Sequence, residues 1–430
     1  MYKFVIVTQQ FEGLGFAKIL KEEGNKVIVA FNPKKEDDLK GYDLIGRGIV
    51  PVLPLEQVLK KRQSMKDWIF WWDMNFLPEI ADKLRKEGFK VLGGYTLSDK
   101  SEHDRNFGIE LIKRAGLVSP ATKEFTNIKE ALTFLDANPE TAYVFKPDDQ
   151  NGESWVTTAP ENENPTKANR ELYTFLKSQK DNGTFLLQEK KTGIEVNIEF
   201  LVFQGKPFLA HANFESKKKD NSDLGRMIGC AMDVDFIIPL DSRILKDTLW
   251  KLIKLPEFKN YTGRVDLNLI VSDNEYWFLE FCNREGFNAS PNMFVNLALI
   301  PLGEIIYNWV NGKTDNFYSY FKKGFGSTIT CWLDKPVIGL PITFSDEIEK
   351  KFYAFDMFVK EGQELLSGYS NEVGIICAHD YDIKSSADEV LENFNKVHYQ
   401  GKTGRTDINR TDYRSNPQER YIALRAMNLL

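Results

Sequence analysis

The chain is short of the residues that mark several common protein classes. Its 430 residues include four cysteines (Cys230, Cys282, Cys331, Cys377), widely spaced and without a CxxC pair. That spacing excludes a disulfide framework and a structural zinc site, and fits a reducing compartment, so a cytoplasmic location is expected. The four histidines (His103, His211, His379, His398) make no metal-ligand spacing. No apolar run approaches the roughly 20 residues of a membrane span, and the opening MYKFVIVTQQFEG lacks the apolar length and cleavage site of a signal peptide. No membrane partner is expected. Lys and Arg number 56 against 62 Asp and Glu, a formal net charge of −6, so a nucleic-acid partner is not expected either. The first crossing, QQFEGLG, holds Gly13 and Gly15 but no full GxGxxG, which speaks against a dinucleotide site. What remains is a folded α/β chain, 42% hydrophobic and 13% aromatic, long enough for several domains.

Strands and helices alternate from the start. YKFVIV, KVIVAF and FKVLGG read as strands, with helical periodicity over 11–23 and in LPEIADKLRKEG, which predicts a parallel α/β layer over 1–97. Trp68, Trp71 and Trp72 fit strand core and rim. Residues 98–116 read as one helix, with Ser98 as N-cap and Gly116 closing it. AYVFKP is a buried strand ending at Lys146, followed by a polar loop with Gly152 and Ser154. IEVNIEFLVF alternates and puts Glu195, Asn197 and Glu199 on one face. FESKKKDNSDLGRMIGCAMDV reads as an exposed loop, and 241–258 and 291–313 as helices. The tail after 410 reads as a terminal helix.

The most informative stretch is 261–292. GRVDLNLIV and EYWFLEF are β-rich, and Ser272-Asp273-Asn274 is turn chemistry. Arg264, Asp266 and Asn268 alternate with Val265, Leu267 and Leu269. The second strand ends in Glu280, then Asn283, Arg284 and Glu285. The hairpin therefore brings Asp266 and Glu280 together beside two arginines. Paired carboxylates and an amide oxygen suit Mg²⁺ (or Mn²⁺), and the arginines suit a phosphoryl group.

This hairpin resembles the metal-binding end of the ATP-grasp ligases, and its LEF-C-N-R run resembles phosphoribosylamine–glycine ligase. The resemblance implies an α/β ATP-grasp fold. It would comprise a Rossmann-like N-terminal domain (1–97), two ATP-binding lobes (98–183 and 184–312) and a small C-terminal α/β cap (313–430). It implies ATP and Mg²⁺ as cofactors, and amide formation between an amino acid (glycine first) and an amine (phosphoribosylamine first) through an acyl phosphate. The partners are thus small molecules. Carried onto this sequence, Asp266, Glu280 and Asn283 would hold metal, and Arg264 and Arg284 would serve catalysis. Lys100 and Lys146 would meet the phosphates, Gln188, Glu189 and Lys190 the adenine edge, and Glu195 the ribose. Asp73, Asn75, Lys217, Lys218, Arg226, Arg405 and Asp407 would face substrates.

The sequence departs from the family in three places. Cys282 stands where the metal-binding asparagine belongs, with Asn283 one residue late. A thiol is a poor magnesium ligand, so either a local bulge lets Asn283 serve or a second metal binds more weakly. The loop after Lys146 is short of glycine, and the N-terminal glycine-arginine-glutamate-histidine loop is missing. These departures keep open a non-catalytic or weakened ATP-binding protein on the same fold.

Overall fold

The computed structural model describes residues 1–33, 43–147, 165–180, 183–272, 275–409 and 416–430. The first layer is a parallel sheet of β1 (Lys3–Thr8), β2 (Lys26–Phe31), β3 (Val52–Pro54), β4 (Ile69–Trp72) and β5 (Lys90–Leu92), in the order β3-β2-β1-β4-β5. Continuous apolar runs such as KFVIVT are what a strand covered on both faces requires. Trp71 and Trp72 are 0% and 1% exposed, as strand core. Helices α1 (Leu14–Glu22), α2 (Leu55–Lys61) and α3 (Pro78–Lys86) make the crossings. Strand order reverses between β1 and β4, so the crevice beyond their carboxyl ends is where such a sheet takes a ligand. Asp73 and Asn75 follow β4 into that crevice.

The single helix expected over 98–116 is two, α4 (Thr96–His103) and α5 (Arg105–Arg114). Asp104 leaves the helical region (φ −102°, ψ 93°), and its carboxylate accepts the Phe107 N–H at 2.9 Å to cap α5. Ser98 lies inside α4, its Oγ accepting the Tyr95 N–H at 3.1 Å. Gly116, at φ 71°, closes α5. Next comes a small antiparallel sheet of β6 (Thr122–Phe125), β7 (Tyr143–Pro147) and β8 (Phe185–Glu189), ordered β6-β8-β7. The loop with Gly152 and Ser154, and Asp273 in the hairpin turn, lie outside the described residues.

The large sheet contains β9 (Ile194–Phe203), β10 (Lys206–Asp220), β11 (Leu224–Ile238), β12 (Gly263–Ser272), β13 (Glu275–Phe281), β14 (Phe325–Leu333) and β15 (Phe352–Ala354). A separate hairpin, β16 (Met357–Lys360) and β17 (Gln363–Leu366), precedes β18 (Glu372–Asp380) and β19 (Lys402–Thr403). The order is β13-β12-β9-β10-β11-β14-β18-β15, with β19 on β14. The C-terminal strands thus continue the same sheet through the β11–β14 pair.

Three segments differ from their sequence reading. The Lys-rich stretch after Phe214 is no loop: β10 and β11 form one long hairpin that turns at Ser222 and Asp223 (φ 65° and 50°). The helix expected over 241–258 breaks at Thr248 (φ −129°, ψ −90°). The helix expected over 291–313 is a π-helical turn (Asn292–Leu297) and a regular helix (Leu302–Val310), separated at Ala298–Pro301.

Alternation divides the large sheet into two faces. Val196, Ile198 and Phe200, Ala210 and Ala212, and Val265, Leu267 and Leu269 are all 0–1% exposed. They pack with Leu111 and Ile112 of α5 and with Leu424 and Leu429 of the tail. The opposite face is polar. Register pairs Asp266 with Glu199, Asn268 with Asn197, His211 with Glu199, and Glu215 with Asp233.

Candidate active site

At the β13 edge, Glu280 stands directly across from Asn268. Lys217, reaching in from β10, sits among three carboxylates: Glu280 at 3.1 Å, Glu195 at 3.2 Å and Glu215 at 3.7 Å. Asn268 Nδ2 donates to Glu195 at 3.3 Å. Lys146, at the end of β7, is 8% exposed, and its ammonium donates to the Leu279 carbonyl at 3.2 Å. Five of these side chains therefore come from β7, β9, β10, β12 and β13, although they are far apart in sequence. Burial opposes ionisation of Glu280, but Lys217, Lys146 and Arg105 overcome it and hold the carboxyl well below its usual range. Burial, helped by Arg105 and Lys217, brings Lys146 down to about 8 against the pull of Glu280 and Glu195.

Arg105 was not singled out in the sequence, where it looks like any helix-start cation. Its charge bears on both Lys146 and Glu280. Lys100, the lysine expected on the phosphates, is exposed, with its ammonium over the Phe107 ring at 4.3 Å. The break at Asp104 starts a new helix whose first residue is Arg105.

The segment after β13 ties the hairpin to the N-terminal sheet. Asn283 accepts the Asp266 N–H through Oδ1 and donates through Nδ2 to Ser101 Oγ, both at 2.8 Å. Its amide is thus engaged at both ends. Arg284 pairs with Glu102 at 3.3 Å and donates to the Glu285 carbonyl at 3.0 Å. Glu102 also accepts from Asn75 Nδ2 at 2.7 Å, and Asn75 Oδ1 accepts from Ser98 Oγ at 2.9 Å. Asp73 accepts the Gly13 N–H at 2.8 Å, and burial with Glu12 nearby raises its carboxyl well above the usual range. A side chain at Gly13 would meet Ile6 Cγ2 at 2.4 Å, so only glycine lets α1 start this close to β1 and Asp73.

Beneath this edge runs a buried charged network. His211 contacts Asp235 through Nδ1 and Glu199 through Nε2, each at 2.8 Å. Glu199 also pairs with Arg264, whose Nε lies 2.7 Å from Glu285, and Glu285 accepts from Trp71 Nε1 at 3.0 Å. Arg264 is 2% exposed and sits between two carboxylates, not beside Glu280. Burial would lower the His211 pKa, but Glu199 and Asp235 prevail and raise it to about 10. Asp266 faces Glu199 across the β9–β12 pair, and burial with that neighbour raises its carboxyl well above the usual range. The only sequence signal for the network was the alternation of polar residues in β9 and β12.

The remaining candidates are spread more widely. Gln188 donates to Thr122 Oγ1 at 3.1 Å, and Glu189 pairs with Lys191 at 2.6 Å. The Glu189 and Lys190 amides go to the Ala121 and Ala142 carbonyls, both at 2.8 Å. Lys218 donates to the Gly225 carbonyl at 3.4 Å. Arg226 is exposed on β11, with its charge felt at Glu372. Arg405 grips Asp407 with two hydrogen bonds (2.8 and 3.0 Å), Asp223 at 2.5 Å and the Lys218 carbonyl at 3.1 Å. Asp407 also accepts the Ser222 N–H at 2.8 Å. Arg405 and Asp407 thus clip the β10–β11 tip to the C-terminal region.

No protein-family model and no curated protein sequence is similar to this chain. Solved structures are. Phosphoribosylamine–glycine ligase of Thermotoga maritima is similar over 94% of this chain and 99% of its own, at 17% identity and a TM-score of 0.70. Biotin carboxylase of Campylobacter jejuni, determined as its beta-gamma-ATP complex, matches 98% of this chain and 99% of its own, at 11% identity and a TM-score of 0.62. Phosphoribosylglycinamide synthetase of Anaerococcus prevotii matches 93% of this chain and 99% of its own, at 14% identity and a TM-score of 0.56. The chain has the ATP-grasp fold. The three-stranded sheet meets the polar face of the large sheet at the Lys146–Lys217–Glu280 group.

The donor set can be tested against a divalent cation. Asn268 is 0% exposed, and its Oδ1 has no hydrogen-bond partner among the described residues. A buried acceptor left unmatched is costly, by about 1–3 kcal/mol, and a cation held between it and the 35% exposed Glu280 carboxylate would satisfy both. Hard oxygen donors of this kind fit Mg²⁺ or Mn²⁺.

Proposed function

We propose that the chain is an ATP-dependent carboxylate–amine ligase that works through an acyl phosphate. The reading rests on the convergence of Lys146, Lys217 and Arg105 with Glu280 and Glu195 between the two ATP-grasp lobes. Phosphoryl transfer asks a protein mainly to position groups and balance charge. Lys146, Lys217 and Arg105 supply cations for the phosphates, and Glu195 supplies an acceptor for the ribose hydroxyls. The Gln188–Lys190 link borders the adenine, whose edge is read by groups other than the Glu189 and Lys190 amides. Glu280 and Asn268 Oδ1 would hold the divalent ion, which when bound neutralises phosphate charge. Arg284, held by Glu102, faces the substrate carboxylate. Asp73 and Asn75 lie at the acceptor crevice, while Arg264 positions the hairpin from below.

The γ-phosphoryl passes from ATP to a carboxylate oxygen, releasing ADP. An amine then attacks the acyl carbon, forming the amide and expelling phosphate. The absence of the N-terminal glycine-arginine-glutamate-histidine loop favours an acceptor other than phosphoribosylamine. The test is ADP release with Mg²⁺ and ATP across a panel of amino acids, with and without phosphoribosylamine. Release confined to glycine with phosphoribosylamine assigns that reaction. Release with another pair assigns a redirected ligase, and ATP binding without release from any pair counts against catalysis.

A second reading, a weakened or non-catalytic ATP-binding protein, is favoured by the Asn283 amide, engaged at both ends beside Cys282. Cys282→Asn separates the two. Higher ADP turnover marks a weakened enzyme, and none in either form supports the binding role.

A further inference from the structure

The acidic edge of the site has a built-in cation. Lys217 Nζ lies between Glu280 and Glu195 at 3.1 and 3.2 Å, with Glu215 at 3.7 Å. An ammonium is a compact point charge that can join carboxylates as a metal ion does. Of the other oxygen donors expected here, Asp266 lies across from Glu199 on the β9–β12 pair, its Oδ1 without a hydrogen-bond partner among the described residues. Asn283 Oδ1 takes the Asp266 N–H at 2.8 Å, and position 282 offers a thiol, a soft ligand unsuited to magnesium. Directly opposite Glu280 stands the neutral Asn268, not a second carboxylate. Among the described residues, no group of three His, Cys, Asp or Glu side chains is arranged to hold a metal.

We propose that this site takes one divalent cation, between Glu280 and the buried Asn268 Oδ1, and that the Lys217 ammonium occupies the place of a second. The inference rests on the ligase reading, because it assumes that a nucleotide's phosphates complete the site. One cation and one fixed ammonium leave the metal demand low. They also leave the phosphate charge answered from the β10–β11 hairpin that Arg405 clips in place. Asn268 sets the charge of the metal position. An aspartate there would add a carboxylate and tighten the cation, since affinity for hard cations follows the ligand charge.

The experiment counts Mn²⁺ on the full-length chain by electron paramagnetic resonance, titrating Mn²⁺ at saturating ADP and measuring ADP binding without metal in parallel. The expected result is one tight Mn²⁺ per wild-type chain, two on Lys217→Met, and about tenfold or greater tightening of the single ion on Asn268→Asp. Should Lys217→Met fail to fold, the wild-type count and Asn268→Asp still decide. Two tight ions on the wild type, or Asn268→Asp with unchanged affinity, overturn the inference and leave the ligase reading standing. No ADP binding in any form overturns the ligase reading and this inference with it.

Discussion

Asn268 and Glu280 face each other across the β12–β13 pair, an amide opposite a carboxylate, with Lys217 Nζ 3.1 Å from the carboxylate. Glu280 is therefore the one charged oxygen donor of that facing pair. Glu280→Gln is expected to weaken Mn²⁺ binding by at least about tenfold, on the scale of losses seen when metal-site groups are removed. Metal-free ADP binding should survive, because Lys146 and Arg105 remain. Calorimetric titrations of Mn²⁺ and of ADP measure the two separately.

On the ligase reading, Lys146 should make nucleotide binding depend on pH. Its ammonium, lowered to about 8 chiefly by burial, must be charged to meet a phosphate. ADP affinity should be level at lower pH and fall as pH rises through 8, by up to about tenfold per unit while this group titrates. Lys146→Arg keeps a positive charge throughout and should remove the step. Fluorescence titrations with labelled ADP between pH 6.5 and 9.5 check it.

The His211 network stabilises the fold in a definite pH window. The pKa of His211 is raised in the folded state, to about 10, by Glu199 and Asp235 acting against burial. The folded chain thus holds the proton more tightly than the unfolded chain. Its contribution is complete below about pH 6.5, the unfolded value, and is lost as pH rises towards 10. His211→Gln leaves Glu199 and Asp235 without their cation and should cost about 3–5 kcal/mol near pH 6. Urea midpoints at pH 6 and pH 9.5 should differ for the wild type and be closer together for the variant.

Arg405 holds the hairpin that delivers Lys217. It is 1% exposed and bound to Asp407, Asp223 and the Lys218 carbonyl. Arg405→Ala removes one member of a buried charged group, at a cost of about 3–5 kcal/mol. Amide hydrogen exchange should speed up locally over 217–227 and stay slow in β1 and β4. Unchanged exchange at the hairpin tip would show that the clip is unimportant.

The parts legible in sequence were those whose pattern is local. The β12–β13 hairpin, the alternation of β9 and the apolar strands of the N-terminal sheet each carry their own periodicity. The β10–β11 hairpin was hidden because KKKDNSDLG has the composition of a loop, and its pairing spans a turn with two residues at positive φ. His211 and Asp235 were invisible as site residues because only register brings them beside Glu199. Arg105 was missed for a local reason: Asp104 is an N-cap in the middle of a helical period, and nothing in the period itself shows the break. Asn268 was read as one polar residue among three, and only the bulge after it sets it opposite Glu280.

The most direct measurement is isotope transfer from carboxylate to phosphate. The chain would be supplied with Mg²⁺, ATP and amino acids bearing ¹⁸O in their carboxylates, together with a mixture of amines, and the released phosphate analysed by mass spectrometry. A ligase that activates its carboxylate as an acyl phosphate delivers one ¹⁸O to each phosphate formed with amide. Phosphate released without label, or no ADP at all from a chain that binds ATP, would contradict it.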